Sequence, residues 1–401
     1  MNRFKGEQSY TFSPPKYSRF WAAIVYWISD TFFLKRAHKI VGMKIASGGE
    51  TLLEKYKNGD SLLITPNHSD HCDPSALLHL SRRFKIPVHF MAAREIFSKE
   101  KGLRGKILQR AGVFSIDREG SDLKAIKEAM RILAEGKYPL VMFPEGEIYH
   151  LNEQLTPLNE GASTLALRTA RKLHKAKSGK RIFIVPTAMK YQYIDDISSS
   201  FPERLARLEK LLFWEPQDDL SVIDRIYKFG EAILSLKEKE YLNRTLDGIL
   251  PERLQKFREI LISREEKRYL SKISDSSHPV RVRRLRGKIR SILLDGEKPE
   301  QKIIDQCYKS LDRLYVAIQL YSYPGQYLRD KTSMDRIAET IHKFEEDLLE
   351  ENVIRGKRSV EITFCEPIDM QNYMDKFNKN SKKTTTEVTQ LIESEIRKIL
   401  E

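Results

Sequence analysis

His68 and Asp73 stand five residues apart in the run Asn67-His68-Ser69-Asp70-His71-Cys72-Asp73-Pro74, which follows the apolar Leu62-Leu63-Ile64. An imidazole has an ordinary pKa near neutrality. A carboxylate that holds one of its ring nitrogens leaves the other free to act as a general base. Five is not a same-face helical spacing, so the pair requires a turn between a strand and a helix. Asp73 also has a purely structural reading, because Asp before Pro74 suits the N-cap of a helix with proline at its first position. The two roles are compatible. Asp70 and His71 raise the question of a metal site. The metallo-hydrolase pattern H-x-H-x-D-H sets its first two histidines two apart, whereas His68 and His71 are three apart, so no metal is expected. Cys72 has acidic neighbours that raise a thiol pKa, which argues against a nucleophile.

Two more blocks could act on the same chemistry. Arg118 follows the strand candidate Gly112–Ile116, and a guanidinium fixed at a strand end suits bidentate phosphate binding. The alternative is a surface salt bridge with Asp117 or Glu119. Phe143-Pro144-Glu145-Gly146 ends another strand candidate. Gly146 permits close backbone approach or a positive φ. Glu145 could accept hydrogen bonds from hydroxyls or order the arginine. Val185-Pro186-Thr187 ends a third apolar run, with Lys190 shortly after.

In this order and spacing the blocks resemble the glycerolipid acyltransferase family, enzymes that acylate glycerol 3-phosphate or lysophosphatidate. The resemblance spans residues 35–195, and more weakly 358–370, where Cys365-Glu366-Pro367-Ile368 is similar to a turn that closes the family's sheet. It implies His68 as base, Asp73 as its orienter, and Arg118, Glu145 and Gly146 at the acceptor. It implies direct transfer from a thioester of coenzyme A or acyl carrier protein to a glycerolipid hydroxyl, with no cofactor and no covalent acyl-enzyme. The acceptor expected first is 1-acylglycerol 3-phosphate, giving phosphatidate; glycerol 3-phosphate or another lysolipid is the alternative. The chain departs from the family where Thr-Arg-Ser commonly follows the glycine: here Glu147-Ile148-Tyr149 removes one basic residue. A rival of another class is a lipid-binding scaffold without catalysis.

These residues need elements to position them. Short, β-branched runs predict strands at Ser61–Thr65, Val88–Ala92, Gly112–Ile116, Pro139–Phe143 and Ile182–Pro186. Helical periodicity between them predicts Pro74–Arg83, Glu95–Arg110, Asp122–Glu135 and Gly161–Lys175, the third starting from Ser121 as N-cap and stopping at Gly136. The alternation predicts an α/β fold with a mostly parallel sheet flanked by helices, ligands lying at the strand ends. Residues 201–357 read instead as charged helices, before a closing strand at Ser359–Phe364. The expected organisation is an N-terminal helical membrane-associating segment (1–60), a core with the motifs (61–200), a helical insertion (201–357), and a closing strand with a C-terminal helix (358–401). A separate helical domain is the alternative for 201–357.

Charge and hydropathy bear on partners. The net charge of +14 is concentrated with the motifs: +12 over residues 1–200, +3 over 201–357 and −1 over 358–401. A basic surface attracts nucleic acid, anionic lipid or phosphorylated ligands. Without zinc-finger spacing or an RNA-binding aromatic signature, lipid and phosphorylated ligands are expected, and nucleic acid is not. Cys72, Cys307 and Cys365 lie far apart, which suits a reducing cytosolic setting without a disulfide framework. No run reaches the ~18–20 apolar residues of a membrane span. Phe20–Ile28 with Phe32-Phe33-Leu34, flanked by Lys16, Arg19, Lys35 and Arg36, predicts a helix lying in the interface of a membrane's cytoplasmic face, peripheral rather than spanning. A core helix is the alternative. Arg281–Arg290, with six basic residues in ten, suggests either anionic lipid docking or a helix face paired with acidic neighbours.

Overall fold

In β2 (Ser61–Pro66) and β6 (Ile182–Tyr193), successive apolar side chains point to opposite faces of one sheet, as strand geometry requires. Leu62, Ile64, Phe183 and Val185 join one core cluster; Leu63, Ile182 and Ile184 join the other. The molecule is described by a computed structural model over residues 10–98, 102–118, 122–294 and 299–401. Its chain divides into two units, one formed by Tyr10–Ile194 with Lys357–Glu401 and the other built on Asp195–Gly356.

The first unit is a three-layer α/β arrangement. Among the described residues its eight strands are β1 (Ile40–Ser47), β2, β3 (His89–Ala93), β4 (Val113–Ile116), β5 (Leu140–Val141), β6, β7 (Arg358–Phe364) and β8 (Ile368–Asp369). They run in the order β1-β7-β6-β2-β5-β3-β4, with β8 also on β6. Pairing is parallel except where β7 and β8 return antiparallel to β6, so the sheet is mixed. One face is covered by α1 (Arg19–Ile28), α2 (Gly49–Lys57) and α3 (Asp73–Phe84), through Ala22, Tyr26, Leu52, Ala76 and Leu77. Beside them lie the short α4 (Arg94–Ser98) and α5 (Leu103–Arg110). The other face is covered by α6 (Leu123–Glu135) and α7 (Gly161–Lys175), together with the C-terminal helices given below. Burying a leucine such as Leu52 or Leu77 contributes about 1.5–3 kcal/mol.

Several boundaries differ from the sequence reading. Residues assigned there to a helical N-terminal segment include β1, an edge strand whose apolar run is broken by Gly42 and Lys44. The expected helix Glu95–Arg110 is two pieces, α4 and α5, the second entered through Gly102 at φ +82°. Strand β6 runs past Pro186 to Tyr193 because β7 pairs with its second half, from Thr187↔Phe364 to Tyr193↔Arg358. Ser121, the expected N-cap of α6, lies outside the described residues; Asp122 accepts the cap hydrogen bond from the Ala125 N–H, and Gly136 ends the helix at φ +58°.

Before β1, helix α1 continues as a π-helical stretch, Ser29–Ala37. Its inner face buries Ala22, Val25, Tyr26 and Leu34, while Phe20, Trp21, Trp27, Ile28, Phe32 and Phe33 are exposed. The segment therefore has both an inward and an outward apolar face. No helix among the described residues is long and apolar enough to cross a membrane.

The second unit is helical: α8 (Phe201–Glu209), α9 (Val222–Leu242), α10 (Leu250–Tyr269), α11 (His278–Leu294), α12 (Gln301–Tyr321), α13 (Tyr327–Asp330) and α14 (Met334–Leu349). Its charged helices pack because many of the charges pair inside. Arg204 meets Glu345 at 2.8 Å and Arg225 meets Glu209 at 2.7 Å, with all four side chains buried. Arg281, which opens the basic run of α11, is buried against Glu266 at 2.7 Å and Glu259 at 2.6 Å. Arg281 and Arg290 face inward, so part of that run is internal ion pairing rather than free surface. The first unit is completed by β7, β8, α15 (Met374–Lys379) and α16 (Ser381–Leu400).

Candidate active site

Strand β2 ends at Pro66, and the chain turns before α3 begins at Asp73. The turn is anchored by Asn67. Its amide donates to the Met189 carbonyl at 3.0 Å and accepts the Met189 N–H at 2.7 Å, extending the β2–β6 pairing by side chain. Asn152 does the same for Tyr191, with both bonds at 2.7 Å. The protruding half of β6 is thereby held next to the turn.

The turn brings His68 Nδ1 to 2.8 Å from Asp73 Oδ2. Asp73 is fully buried. Its carboxylate does not cap α3, whose N-cap is Cys72. Oδ2 also accepts the Asp70 N–H at 3.0 Å, and Oδ1 accepts the Tyr191 hydroxyl at 2.5 Å. Burial and the adjacent Asp73 hold the Tyr191 phenol well above its ordinary pKa, so it remains a donor. A carboxylate only accepts, so Nδ1 carries the ring proton and Nε2 keeps its lone pair. Among the described residues Nε2 makes no hydrogen bond. The ring stacks on Phe143, centroids 4.1 Å apart, and its side chain is 15% exposed, which leaves Nε2 a route to a ligand.

Glu145 is brought to the same turn from the end of β5. It is buried, and its oxygens are used by the protein itself: Oε1 accepts the His68 N–H at 2.6 Å, and Oε2 accepts the Thr156 N–H at 3.2 Å and the Thr156 hydroxyl. Burial raises its pKa to about 7, against those hydrogen bonds, which lower it. Asn159 clamps the same turn, its amide donating to the carbonyls of Pro144 at 2.8 Å and Glu145 at 2.9 Å. Gly146 takes φ +80°, a left-handed conformation that favours glycine. Its carbonyl accepts from Arg118 Nη1. That guanidinium also lies 3.2 Å from Glu147 and 3.9 Å from Glu95. The five candidate residues His68, Asp73, Arg118, Glu145 and Gly146 are therefore linked across the ends of β2, β4 and β5. Glu145 contacts the His68 backbone rather than Arg118. Glu119, offered as a partner for Arg118, lies outside the described residues.

Other candidates are placed elsewhere. Lys190 is paired with Glu153 at 2.9 Å. Cys72 is buried, and burial followed by the nearby Asp70 holds its thiol well above the ordinary range, which disfavours a thiolate. His71 is exposed, its ring 5.2 Å from that of His150. His38, Asp70 and Cys72 approach one another closely enough to share a cation, but the Arg358 guanidinium already sits 2.7 Å from Asp70. Sequence reasoning missed Tyr191, Asn152, Thr156, Asn159 and Arg358. Asn152, Tyr191 and Arg358 act through partners 39 or more residues away in the chain, whereas Thr156 and Asn159 act on Glu145, 11 and 14 residues before them.

Residues 49–190 match the family model described as Acyltransferase. No curated protein matches the chain.

Proposed function

Because the chain belongs to the Acyltransferase family through residues 49–190, and that domain transfers acyl groups to lipid substrates, we propose that His68 is the general base of the transfer. The observation that carries this reading is the His68–Asp73 pair, at 2.8 Å, with Nε2 left open. In the proposed step Nε2 takes the proton of the acceptor hydroxyl as its oxygen attacks the thioester carbonyl carbon. The tetrahedral intermediate collapses, the carbon–sulfur bond breaks, and the thiolate takes the proton from the imidazolium. Asp73 fixes the tautomer and stabilises the imidazolium. Glu145 and Gly146, on the turn after β5, hold the His68 backbone and the Arg118 guanidinium.

We assign the acceptor as 1-acylglycerol 3-phosphate and the donor as acyl-coenzyme A or acyl carrier protein. Arg118, at the strand end next to Gly146, would meet the phosphate by exchanging Glu147 for it. A second reading is favoured by Glu147 itself: its carboxylate, 3.2 Å from Arg118, suits a lysolipid whose headgroup carries a cation beside the phosphate. The exposed aromatics of α1 and the π-helical stretch, ringed by exposed Lys16, Arg19, Lys35 and Arg36, support peripheral attachment to an anionic membrane.

The test is thiol release from palmitoyl-coenzyme A and from palmitoyl-acyl carrier protein by purified protein across lysophosphatidate, glycerol 3-phosphate and lysophosphatidylethanolamine. Release with lysophosphatidate supports the first assignment. Release with lysophosphatidylethanolamine alone moves the acceptor to the second. No acceptor-dependent release with either thioester carrier contradicts both.

A further inference from the structure

Arg358 opens β7 and is 6% exposed. A buried charge is tolerated only where it is paired and hydrogen-bonded. Here Nη1 donates to Asp70 Oδ2 at 2.7 Å, and Nε and Nη2 both donate to the His38 carbonyl at 3.2 Å. The guanidinium carbon lies 5.5 Å from the ring centre of Tyr191 and 5.9 Å from that of Tyr193. None of these contacts is with His68 or Asp73, yet two of the partners control Asp73. Asp70 gives its N–H to the Asp73 oxygen that also takes His68 Nδ1, and Tyr191 gives its hydroxyl to the other oxygen. The Asp70 carboxylate is itself held in place: Oδ1 accepts the Cys72 N–H at 2.9 Å and lies 3.3 Å from His38 Nδ1. Burial alone would raise the Asp70 pKa; Arg358, His38 and the Cys72 N–H together outweigh burial and hold it well below the ordinary range.

We infer that Arg358 is a positioning residue for acyl transfer, fixing through Asp70 and Tyr191 the carboxylate that orients His68. The inference rests on His68 acting as the base. Removing the guanidinium would free the Asp70 turn and one side of the Tyr191 ring together. Asp73 would then hold the imidazole in a range of orientations rather than one. Arg118, proposed to meet the acceptor phosphate, is not part of this network, so the loss belongs in turnover and not in binding.

The experiment compares full-length Arg358→Lys, Arg358→Met, Asp70→Asn and His68→Ala with the unaltered protein. Turnover and KM are measured for palmitoyl-coenzyme A and for the acceptor that supports release in the panel above, per folded molecule by circular dichroism. The His68 ring is followed by long-range ¹⁵N–¹H correlation, which reports its tautomer without any turnover. Arg358→Lys keeps the charge but loses the planar fork, so it remains informative if Arg358→Met does not fold. The expected result is a kcat lower by about 10–100-fold, since misplacing a reacting group by ~1 Å costs about that much. Both KM values should stay within about twofold, and the His68 signals should change from one tautomer to a mixture. Unchanged kcat in folded Arg358→Lys and Asp70→Asn, a loss confined to KM, or an unchanged tautomer would overturn the inference. Full turnover in His68→Ala removes the base assignment and this inference with it. Inactive His68→Ala beside normal Arg358→Lys removes this inference alone.

Discussion

Tyr191 donates its hydroxyl to Asp73 Oδ1 at 2.5 Å, on the carboxylate oxygen that His68 does not use. Asp73 is thus gripped from both sides, by a strand residue and by the turn that carries the imidazole. The hydrogen bond is buried and ends on a charged group, a class that contributes about 1.5–3 kcal/mol.

Tyr191→Phe keeps the ring and removes only the hydroxyl. It should destabilise the protein by about 1.5–3 kcal/mol and lower kcat by about tenfold, leaving KM for both substrates in place. Denaturant unfolding and steady-state kinetics check the two effects separately. A stability loss with full kcat would mean that the hydroxyl serves the fold alone.

Glu145 makes a pH-dependent contribution with a definite sign. Its pKa rises on folding from the ordinary 4.5 to about 7, so between those values the folded protein holds a proton that the unfolded chain releases. That contribution is present in full below about pH 4.5 and is lost as pH rises through about 7, by at most ~3 kcal/mol. Glu145→Gln should remove it. The stability of the unaltered protein relative to Glu145→Gln should therefore fall between pH 5 and pH 8 in urea titrations. A flat or rising difference would place the Glu145 pKa at or below its ordinary value.

Arg118 lies 3.2 Å from Glu147, and an acceptor phosphate must compete with that carboxylate. Glu147→Thr should lower KM for lysophosphatidate by about fivefold, the equivalent of about 1 kcal/mol for a partly exposed pair. Arg118→Ala should raise that KM while sparing the thioester. If both variants alter only the thioester KM, Arg118 belongs to the donor site.

Trp27 and Phe33 are 54% and 44% exposed on the outward face of the N-terminal segment. Replacing both with Ser should weaken co-sedimentation with anionic vesicles by about tenfold, from the loss of apolar area available to the interface. Turnover on a detergent-dispersed acceptor should be unchanged. Equal sedimentation by the double variant would assign the face to another role.

The α/β alternation and the three strand-end blocks were legible because each is local: an apolar run, a turn, a helix. The helix start was legible to within one residue from Pro74: the cap expected at Asp73 falls on Cys72, and the helix begins at Asp73. What escaped was long-range. Strand β1 has Gly42 and Lys44 in its apolar run, and only its pairing with β7 makes it a strand. Tyr191 lies beyond the strand expected at Ile182–Pro186, and only the pairing of β6 with β7 extends the strand to it and brings it to Asp73. Arg358 is separated from Asp70 by the whole helical unit. Glu145 was recognised as part of a block, but its partner, the His68 backbone, has no mark in the sequence.

The central claim is that one imidazole nitrogen, His68 Nε2, takes the acceptor's proton. The most direct measurement is acceptor-dependent thiol release by His68→Ala beside the unaltered protein, with circular dichroism showing both folded. Loss of a general base predicts a kcat lower by about 10²–10⁴-fold with an unchanged fold. Near-normal release by His68→Ala would contradict the account.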